Sequence, residues 1–446
     1  MPARGIVDYA TYLPYRRLDL ADVAAVAGAG GGRGTRPVAS YDEDTTTMAV
    51  AAARGCDPSG VGAVWFSTTT PAYVDKTNAT AIHAALRLDP SAPAFDANGS
   101  VRSAVGALRA ALSTSDAALV VAADMRTGLP GSPDEAAGGD GAAALVVGDG
   151  DVVAEVVGWG SATAEFLDRW RAPGDPASRL WEERFGEGRY VAAGRAAWDD
   201  ALKSTGLAAA DITRATVVGS HTRACTQFGR TLGTDVVVAQ PAGVGFAGAA
   251  APGLALAHLL DATEPGETIA LGVLADGADV LVLRTTDAHR PRPVEHPGAP
   301  ISYGTYLRWR GLLTTEPPRR PEPARPSASA AGRNAEWKFG FVGSQGDDGT
   351  VHLPPAPLDA SSRPMADATG TVVTFTIDRL AYSPSPPVVF AVVDFDGGGR
   401  LPVELTDVDP ADVAVGTRVE MTFRKLFTAD GIHNYFWKAR PIRGGR

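Results

Sequence analysis

Two cysteines, Cys56 and Cys225, are the only thiols in 446 residues. His221 stands four residues before Cys225, so on a helix the two share a face, and a Cys/His pair can activate a thiolate nucleophile. A free Cys is more commonly a buried, unreactive apolar group, and Cys56, near a helix end, reads that way. His221 follows the apolar run Thr216–Gly219. With an ordinary pKa near ~6.5, an imidazole there suits a general base or a donor to a polarised oxygen; a structural His is the alternative. Ser100 and Ser103 open an amphipathic stretch, where the hydroxyls serve either as nucleophiles or as helix N-caps. Asp347, Asp348 and His352 form a short polar cluster that reads as a solvated turn rather than a metal site.

The composition narrows the classes. Forty-one Lys and Arg against 51 Asp and Glu leave a formal charge of −10, which argues against binding to the phosphates of nucleic acid. No apolar run reaches the ~18 residues that span a bilayer, and Met1–Ile6 lacks the apolar core of a signal peptide. A cytoplasmic protein with no membrane association is expected. Two thiols exclude a disulfide framework and a four-thiolate zinc centre. Gly28–Gly34 is glycine-rich but lacks the preceding strand and following Lys-Ser/Thr of a phosphate loop, so it reads as a surface loop.

The elements that must position these groups change in character along the chain. Ala63–Phe66, Ala117–Ala122, Ala142–Val147, Thr216–Gly219 and Thr268–Val273 are short apolar runs suited to strands buried on both faces. Between them, Thr45–Arg54, Asn78–Leu88, Val101–Leu112 and Gly253–Leu260 carry helical spacing. The alternation predicts an α/β domain over residues 1–288. Residues 289–335, rich in Pro and Arg, read as a semi-rigid linker, interrupted by an amphipathic helix at Ile301–Leu313 that is placed to dock one domain on the other. Residues 336–446 hold five β-rich runs: Gly370–Ile377, Val388–Asp394, Leu401–Leu405, Arg418–Phe423 and Asn434–Ala439. These predict an OB-type β-barrel, with an open sandwich as the alternative.

Several stretches together resemble the hydroxymethylglutaryl-CoA synthase branch of the thiolase superfamily: Gly5–Arg17, Asp42–Arg54, Ser67–Leu86, Pro133–Leu145, His221-Thr222 and Gly243–His258. Leu167–Phe185 favours this branch over plain ketosynthases. The resemblance implies a five-layered fold of two pseudo-equivalent halves, usually dimeric, acting on acyl thioesters of CoA or a carrier protein. The tail resembles the OB-fold domain that accompanies acyl-CoA-handling thiolases, often behind a zinc ribbon. Here Gln345, Asp348 and Gly349 stand where the first thiolate pair belongs, and Asp359 and Ser362 near the second, so no zinc is expected.

The same resemblance predicts an altered site. The family's chemistry uses a Cys at a helix N-terminus, a His, and an Asn as oxyanion donor. Along Phe95–Leu108 the Cys position falls on Val101, which cannot be acylated. The Asn position falls on Phe246, and the acid of this branch is missing from Ser67–Thr70. His221 remains. Tyr73, Tyr303 and Tyr306 are candidate bases, and Arg33, Arg36, Arg223 and Arg230 candidate contacts for CoA phosphates. Gly138–Gly141 is implied to be a packed backbone turn. The expectation is an acyl-thioester enzyme that makes or breaks a C–C or ester bond without an acyl-cysteine, of a kind expected in secondary metabolism. The alternatives are a retro-aldol lyase on a β-hydroxyacyl-CoA, or a non-catalytic partner of a Cys-bearing thiolase-like chain. In either case a homodimer or heterodimer is expected.

Overall fold

The computed structural model describes residues 4–293, 295–325, 327–356 and 360–443. The first domain is built on β1 (Arg4–Tyr12), β2 (Ala63–Ser67), β3 (Ala94–Asp96), β4 (Ala118–Asp124), β5 (Gly141–Asp149), β6 (Ala154–Thr163), β7 (Arg214–Gly219), β8 (Asp235–Val236), β9 (Thr268–Leu274) and β10 (Gly277–Thr285). Among the described residues these strands run in the order β8-β7-β9-β10-β6-β1-β5-β4-β2-β3. The order repeats about its middle. In each half two antiparallel pairings lead outward to two parallel ones: β1·β5, β5·β4, β4·β2 and β2·β3, matched by β6·β10, β10·β9, β9·β7 and β7·β8. The halves meet where Gly5 faces Glu155 and Ile6 faces Ala154. A Cβ on Gly5 would lie 2.0 Å from the Ala154 carbonyl oxygen, so the seam needs glycine.

Helices α1 (Thr45–Ala53), α2 (Ala79–Ala85), α3 (Val101–Leu112), α4 (Glu183–Thr205), α5 (Thr222–Gly229) and α6 (Ala251–Asp261) complete the layers. α3 and α6 lie between the half-sheets, α1 and α2 cover one outer face, and α4 and α5 cover the other. This is the five-layered architecture of two equivalent halves. Its strands read as apolar runs because both faces are covered: every residue of β4 and β9 is buried.

The linker helix α7 (Tyr303–Trp309) departs from expectation. It packs back onto the first domain rather than bridging the two. Tyr303 and Tyr306 bury against Leu18, Val23 and Val38, and the preceding Ala299–Ile301 pairs with Arg16–Asp19. What holds the C-terminal domain is the acidic run before α1. Asp42 pairs with Lys438 at 3.1 Å and accepts from Thr406 Oγ1 at 2.9 Å. Glu43 pairs with Arg424, which also reaches Asp407 at 2.6 Å. Asp44 caps α1 through Thr47 N–H at 2.9 Å and accepts from Tyr435 at 2.7 Å. Around these charges Met48, Phe66 and Ile82 share one apolar core with Phe341, Phe423 and Trp437. A large apolar side chain buried there contributes about 1.5–3 kcal/mol.

The C-terminal strands β11 (Thr369–Asp378), β12 (Val388–Phe395), β13 (Arg400–Leu405), β14 (Arg418–Ala429) and β15 (Ile432–Pro441) close a barrel in the order β11-β12-β13-β15-β14. It is therefore a barrel and not the open sandwich. A small three-stranded sheet, with Val342–Gly346 at its centre, precedes it. There Asp348 accepts from Thr350 N–H and Oγ1, both at 2.9 Å, and Gln345 donates to the Gly349 carbonyl at 3.3 Å. This is a self-satisfied turn, and its carboxylate, amide and glycine do not fit a zinc site. Asp359 lies outside the described residues. Among the described residues no helix is long and apolar enough to cross a membrane.

Candidate active site

The C-terminal ends of parallel strands β2, β4 and β7 open onto the site, as the geometry of covered α/β sheets leads one to expect. Two adjoining cavities lie there. One, of about 520 Å³, is lined by Ser100, Val101, Arg126, Tyr190, Phe246 and Asp276, among others. The second, of about 390 Å³, holds Arg33, Thr222, Cys225 and Gln240. Arg126, Arg169, Ser220 and Phe246 line both. Each volume is in the range of small-molecule sites.

The floor is fixed by Asp124, the last residue of β4. Fully buried, it accepts from Thr68 Oγ1 (3.0 Å), Thr69 N–H (3.0 Å) and Oγ1 (2.7 Å), Thr70 Oγ1 (2.8 Å) and Ala249 N–H (2.8 Å). Five donors satisfy the carboxylate and tie the β2 loop to the segment before α6. Gly248 has φ +53°, and a Cβ there would stand 2.0 Å from Asp124 Oδ2, so this approach also needs glycine. Thr68, Thr69 and Thr70 thus serve as ligands of a buried carboxylate.

Two residues past Asp124, Arg126 projects into both cavities. Its guanidinium stands 5.7 Å from the Phe246 ring centroid and donates to Thr69 Oγ1 at 3.3 Å. The Phe246 backbone is clamped by Ala137 O (2.8 Å) and by Gly139 N–H (3.2 Å). A Cβ on Gly139 would meet Val244 O at 1.8 Å; the Gly138–Gly141 segment is indeed packed backbone. Where an Asn donor was expected, the wall therefore presents an aromatic face carrying a cation. Across the opening, Arg169 makes a bidentate pair with Asp134 (2.5 and 2.6 Å), and Arg171 donates to the Thr69 carbonyl.

Val101 is the first residue of α3, half-buried, at the cavity wall. Ser100 caps the helix beside it and also faces the cavity. Ser103 instead turns into the helix end, near Ser100 N–H (3.4 Å) and Asn98 O (3.3 Å), away from the opening.

His221 corrects its expected role. Its Nδ1 accepts from Ala224 N–H at 3.1 Å, capping α5, which fixes the proton on Nε2; Nε2–H then donates to the Glu183 carbonyl at 2.8 Å. Both nitrogens are occupied and the ring lines neither cavity. Cys225 reaches the second cavity, but burial pushes its thiol up to about 12, which leaves almost no thiolate at neutral pH. It makes no pair with His221, whose Nδ1 is engaged at the helix end. Cys56 is buried against Ala144 O at 3.6 Å.

The tyrosines proposed as bases are used elsewhere. Tyr73 accepts from His433 N–H at 2.7 Å, on the barrel. Tyr303 donates to Glu135 at 3.0 Å, and Tyr306 is buried under Arg36 and Arg310. Of the arginines, Arg33 is exposed and lines the second cavity. Arg36 is buried, donating to Glu135 O (2.6 Å) and Arg126 O (2.7 Å). Arg223 pairs with Glu183 at 3.6 Å, and Arg230 ends α5; neither lines a cavity.

Sequence reasoning missed Arg126, Tyr190 and Asp276. Asp276 sits in the β9–β10 turn with φ +47°, its side chain exposed to the cavity. Burial raises its carboxyl above the ordinary range, Arg102 opposes this, and Glu165 reinforces it. Tyr190, on α4, is buried beside Asp168 and the Asp276 backbone. A position two residues past an apolar strand could have pointed to Arg126. The turn Ala275-Asp276-Gly277 carried no such signal.

Comparison with known proteins agrees with the fold. Residues 362–424 match the family model described as "ChsH2, C-terminal OB-fold domain". The chain is 27% identical over 343 residues to the hydroxymethylglutaryl-CoA synthase of Methanothermobacter thermautotrophicus, covering 69% of this chain and 99% of that protein. To the enzyme of the same name from Methanopyrus kandleri it is 29% identical over 298 residues, covering 61% and 85%. Among solved structures, MvaS in complex with 3-hydroxy-3-methylglutaryl coenzyme A superposes with a TM-score of 0.58 at 20% identity, covering 73% of this chain and 95% of that one. 3-Oxoacyl-(acyl carrier protein) synthase III from Pseudomonas aeruginosa PAO1 gives 0.54 at 23%, covering 65% and 100%. The chain thus joins a thiolase-like domain similar to hydroxymethylglutaryl-CoA synthases to an OB-fold domain.

Proposed function

We propose that this protein binds an acyl thioester, on CoA or a carrier protein, and makes or breaks a C–C or ester bond without an acyl-cysteine. The observation that carries the reading is the open cavity of about 520 Å³ at Val101 and Phe246. A fold kept only as a scaffold has no need of it, and neither replacement side chain fills it. Arg126 over Phe246 supplies a cation where the thioester oxygen would gain charge, and Arg33 stands where phosphates would enter. Bond making or breaking between a thioester enolate and a carbonyl, the aldol or retro-aldol reaction of a β-hydroxyacyl thioester, needs such a cation and a base but no nucleophilic side chain of the protein.

The second reading, a non-catalytic partner of a Cys-bearing thiolase-like chain, is favoured by Val101 and by the capping role of His221. The two separate when a panel of acyl- and β-hydroxyacyl-CoAs is incubated with the protein and both are followed by mass spectrometry. Turnover without a protein-bound acyl group supports the first reading. Binding of none of the panel supports the second, and an adduct on Ser100 or Cys225 contradicts the non-covalent chemistry.

A further inference from the structure

Among the described residues two carboxylates line the open cavity without an ion pair to its lining arginines, Asp175 and Asp276, and Asp175 is drawn to Arg179 at 3.6 Å. Asp134 is held by Arg169, and Asp124 is saturated by five donors below the floor. Asp276 is different. Its backbone is held on two sides: Arg102 Nη1 donates to its carbonyl at 2.8 Å, and its N–H faces the Tyr190 hydroxyl. The Arg102 guanidinium itself is committed to Asp279, at 2.8 and 3.3 Å. The left-handed φ of +47°, uncommon for a residue other than glycine, turns the side chain of Asp276 into the cavity that Val101 and Arg126 also line. The groups around it are Arg102 on α3, Glu165 and Asp168 in the loop after β6, Tyr190 on α4, Ser220 after β7, and Arg126 and Arg169 across the opening.

We propose that Asp276 is the acid–base group of this site, taking a proton from Cα of a bound acyl thioester and returning it, with the enolate oxygen facing Arg126. The inference rests on the reading that the cavity holds an acyl thioester. The step balances without a further reactant. The Cα–H pair becomes the enolate C=C bond, the carbonyl π pair becomes a lone pair on oxygen, and the proton resides on the Asp276 carboxyl until it returns. The same enolate is what C–C cleavage of a β-hydroxyacyl thioester releases and what the reverse reaction uses as its carbon nucleophile. A carboxyl held above the ordinary range is a better match to such a proton transfer at neutral pH than an ordinary one. Tyr190 acts as a positioning residue, through the Asp276 backbone.

The test is deuterium exchange at Cα. Acetyl-CoA is incubated with the full-length protein in D2O, and the recovered thioester is weighed by mass spectrometry; binding is measured separately by calorimetry. The wild type incorporates deuterium faster than buffer, with a rate that rises with pH around a midpoint above the ~3.9 of a free Asp. Asp276→Asn keeps acetyl-CoA binding and loses exchange by ~10²-fold or more, and Asp276→Glu restores part of it. Asn tolerates the left-handed turn, so the variant is expected to fold. Tyr190→Phe shifts the midpoint while leaving binding in place. Exchange by Asp276→Asn at the wild-type rate, or a wild type that binds acetyl-CoA but exchanges no deuterium, overturns the assignment. A wild type that shows no binding overturns the thioester reading itself, and the calorimetry separates that failure from the other two.

Discussion

Replacing Asp42 by Asn tests how the barrel is attached. The carboxyl is completely buried; burial opposes its ionisation, but Lys438 and Arg424 outweigh that and hold it at about 2. In the unfolded chain the same group titrates near ~3.9, and the gap corresponds to about 2–3 kcal/mol of stability at neutral pH. Because the folded value is the lower one, this stability is present above pH ~4 and is lost as pH falls toward 2. Asp42→Asn keeps the shape and the backbone carbonyl that accepts from Lys425 N–H at 2.9 Å, but removes the charge opposite Lys438. Unfolding of wild type and variant would be followed by calorimetry and by intrinsic fluorescence of the eight tryptophans, of which Trp437 lies in the shared core. The variant should be less stable by about 2–3 kcal/mol at pH 7, with the deficit shrinking as pH approaches 3. Equal stability at pH 7, or a deficit unchanged at pH 3, would refute the ion-pair account of domain docking.

Other outcomes follow from the site. Val101→Cys places a thiol at the start of α3, and incubation with acetyl-CoA should add the mass of one acetyl group to the intact protein; no adduct would show that the helix end does not face the thioester. His221→Ala should lower stability by about 1 kcal/mol through loss of the cap, with His221→Asn recovering most of it, while acyl-CoA affinity is unchanged in both; a loss of affinity would return His221 to the binding site. In the native protein Cys225 should resist iodoacetamide at pH 8 and react after unfolding, measured by peptide mass. Rapid native labelling would contradict the raised thiol.

Legibility in the sequence followed local pattern. α3 falls on Val101–Leu112 as its apolar spacing indicates, and the barrel strands lie within one or two residues of their runs except β14, which runs on to Ala429. α4 and β6 were not visible. Gly186, Gly188 and Gly194 interrupt the helical signal of the one, and Gly158 and Gly160 the strand signal of the other. Their reason is tertiary: a Cβ on Gly160 would lie 2.0 Å from Ala197 O, where α4 presses on β6. The run Asp42-Glu43-Asp44 showed its charges but not Lys438, Arg424 and Tyr435, which arrive from nearly 400 residues away. In the site, Val101 and Phe246 were legible as candidates, and both line the cavity. What surrounds them was not, because Arg126 and Asp276 come from a strand end and a turn whose meeting is a property of topology. His221 was legible as a residue, but its direction depends on Ala224 N–H and Glu183 O, which no spacing shows.

The central claim is that the cavity bounded by Val101, Phe246 and Arg126 holds an acyl thioester. Isothermal titration of acetyl-CoA into the wild type and Arg126→Met tests it most directly. The account predicts saturable one-site binding by the wild type, weakened on the order of tenfold by the variant (about 1.4 kcal/mol). No binding to the wild type, or equal binding by both, would contradict it.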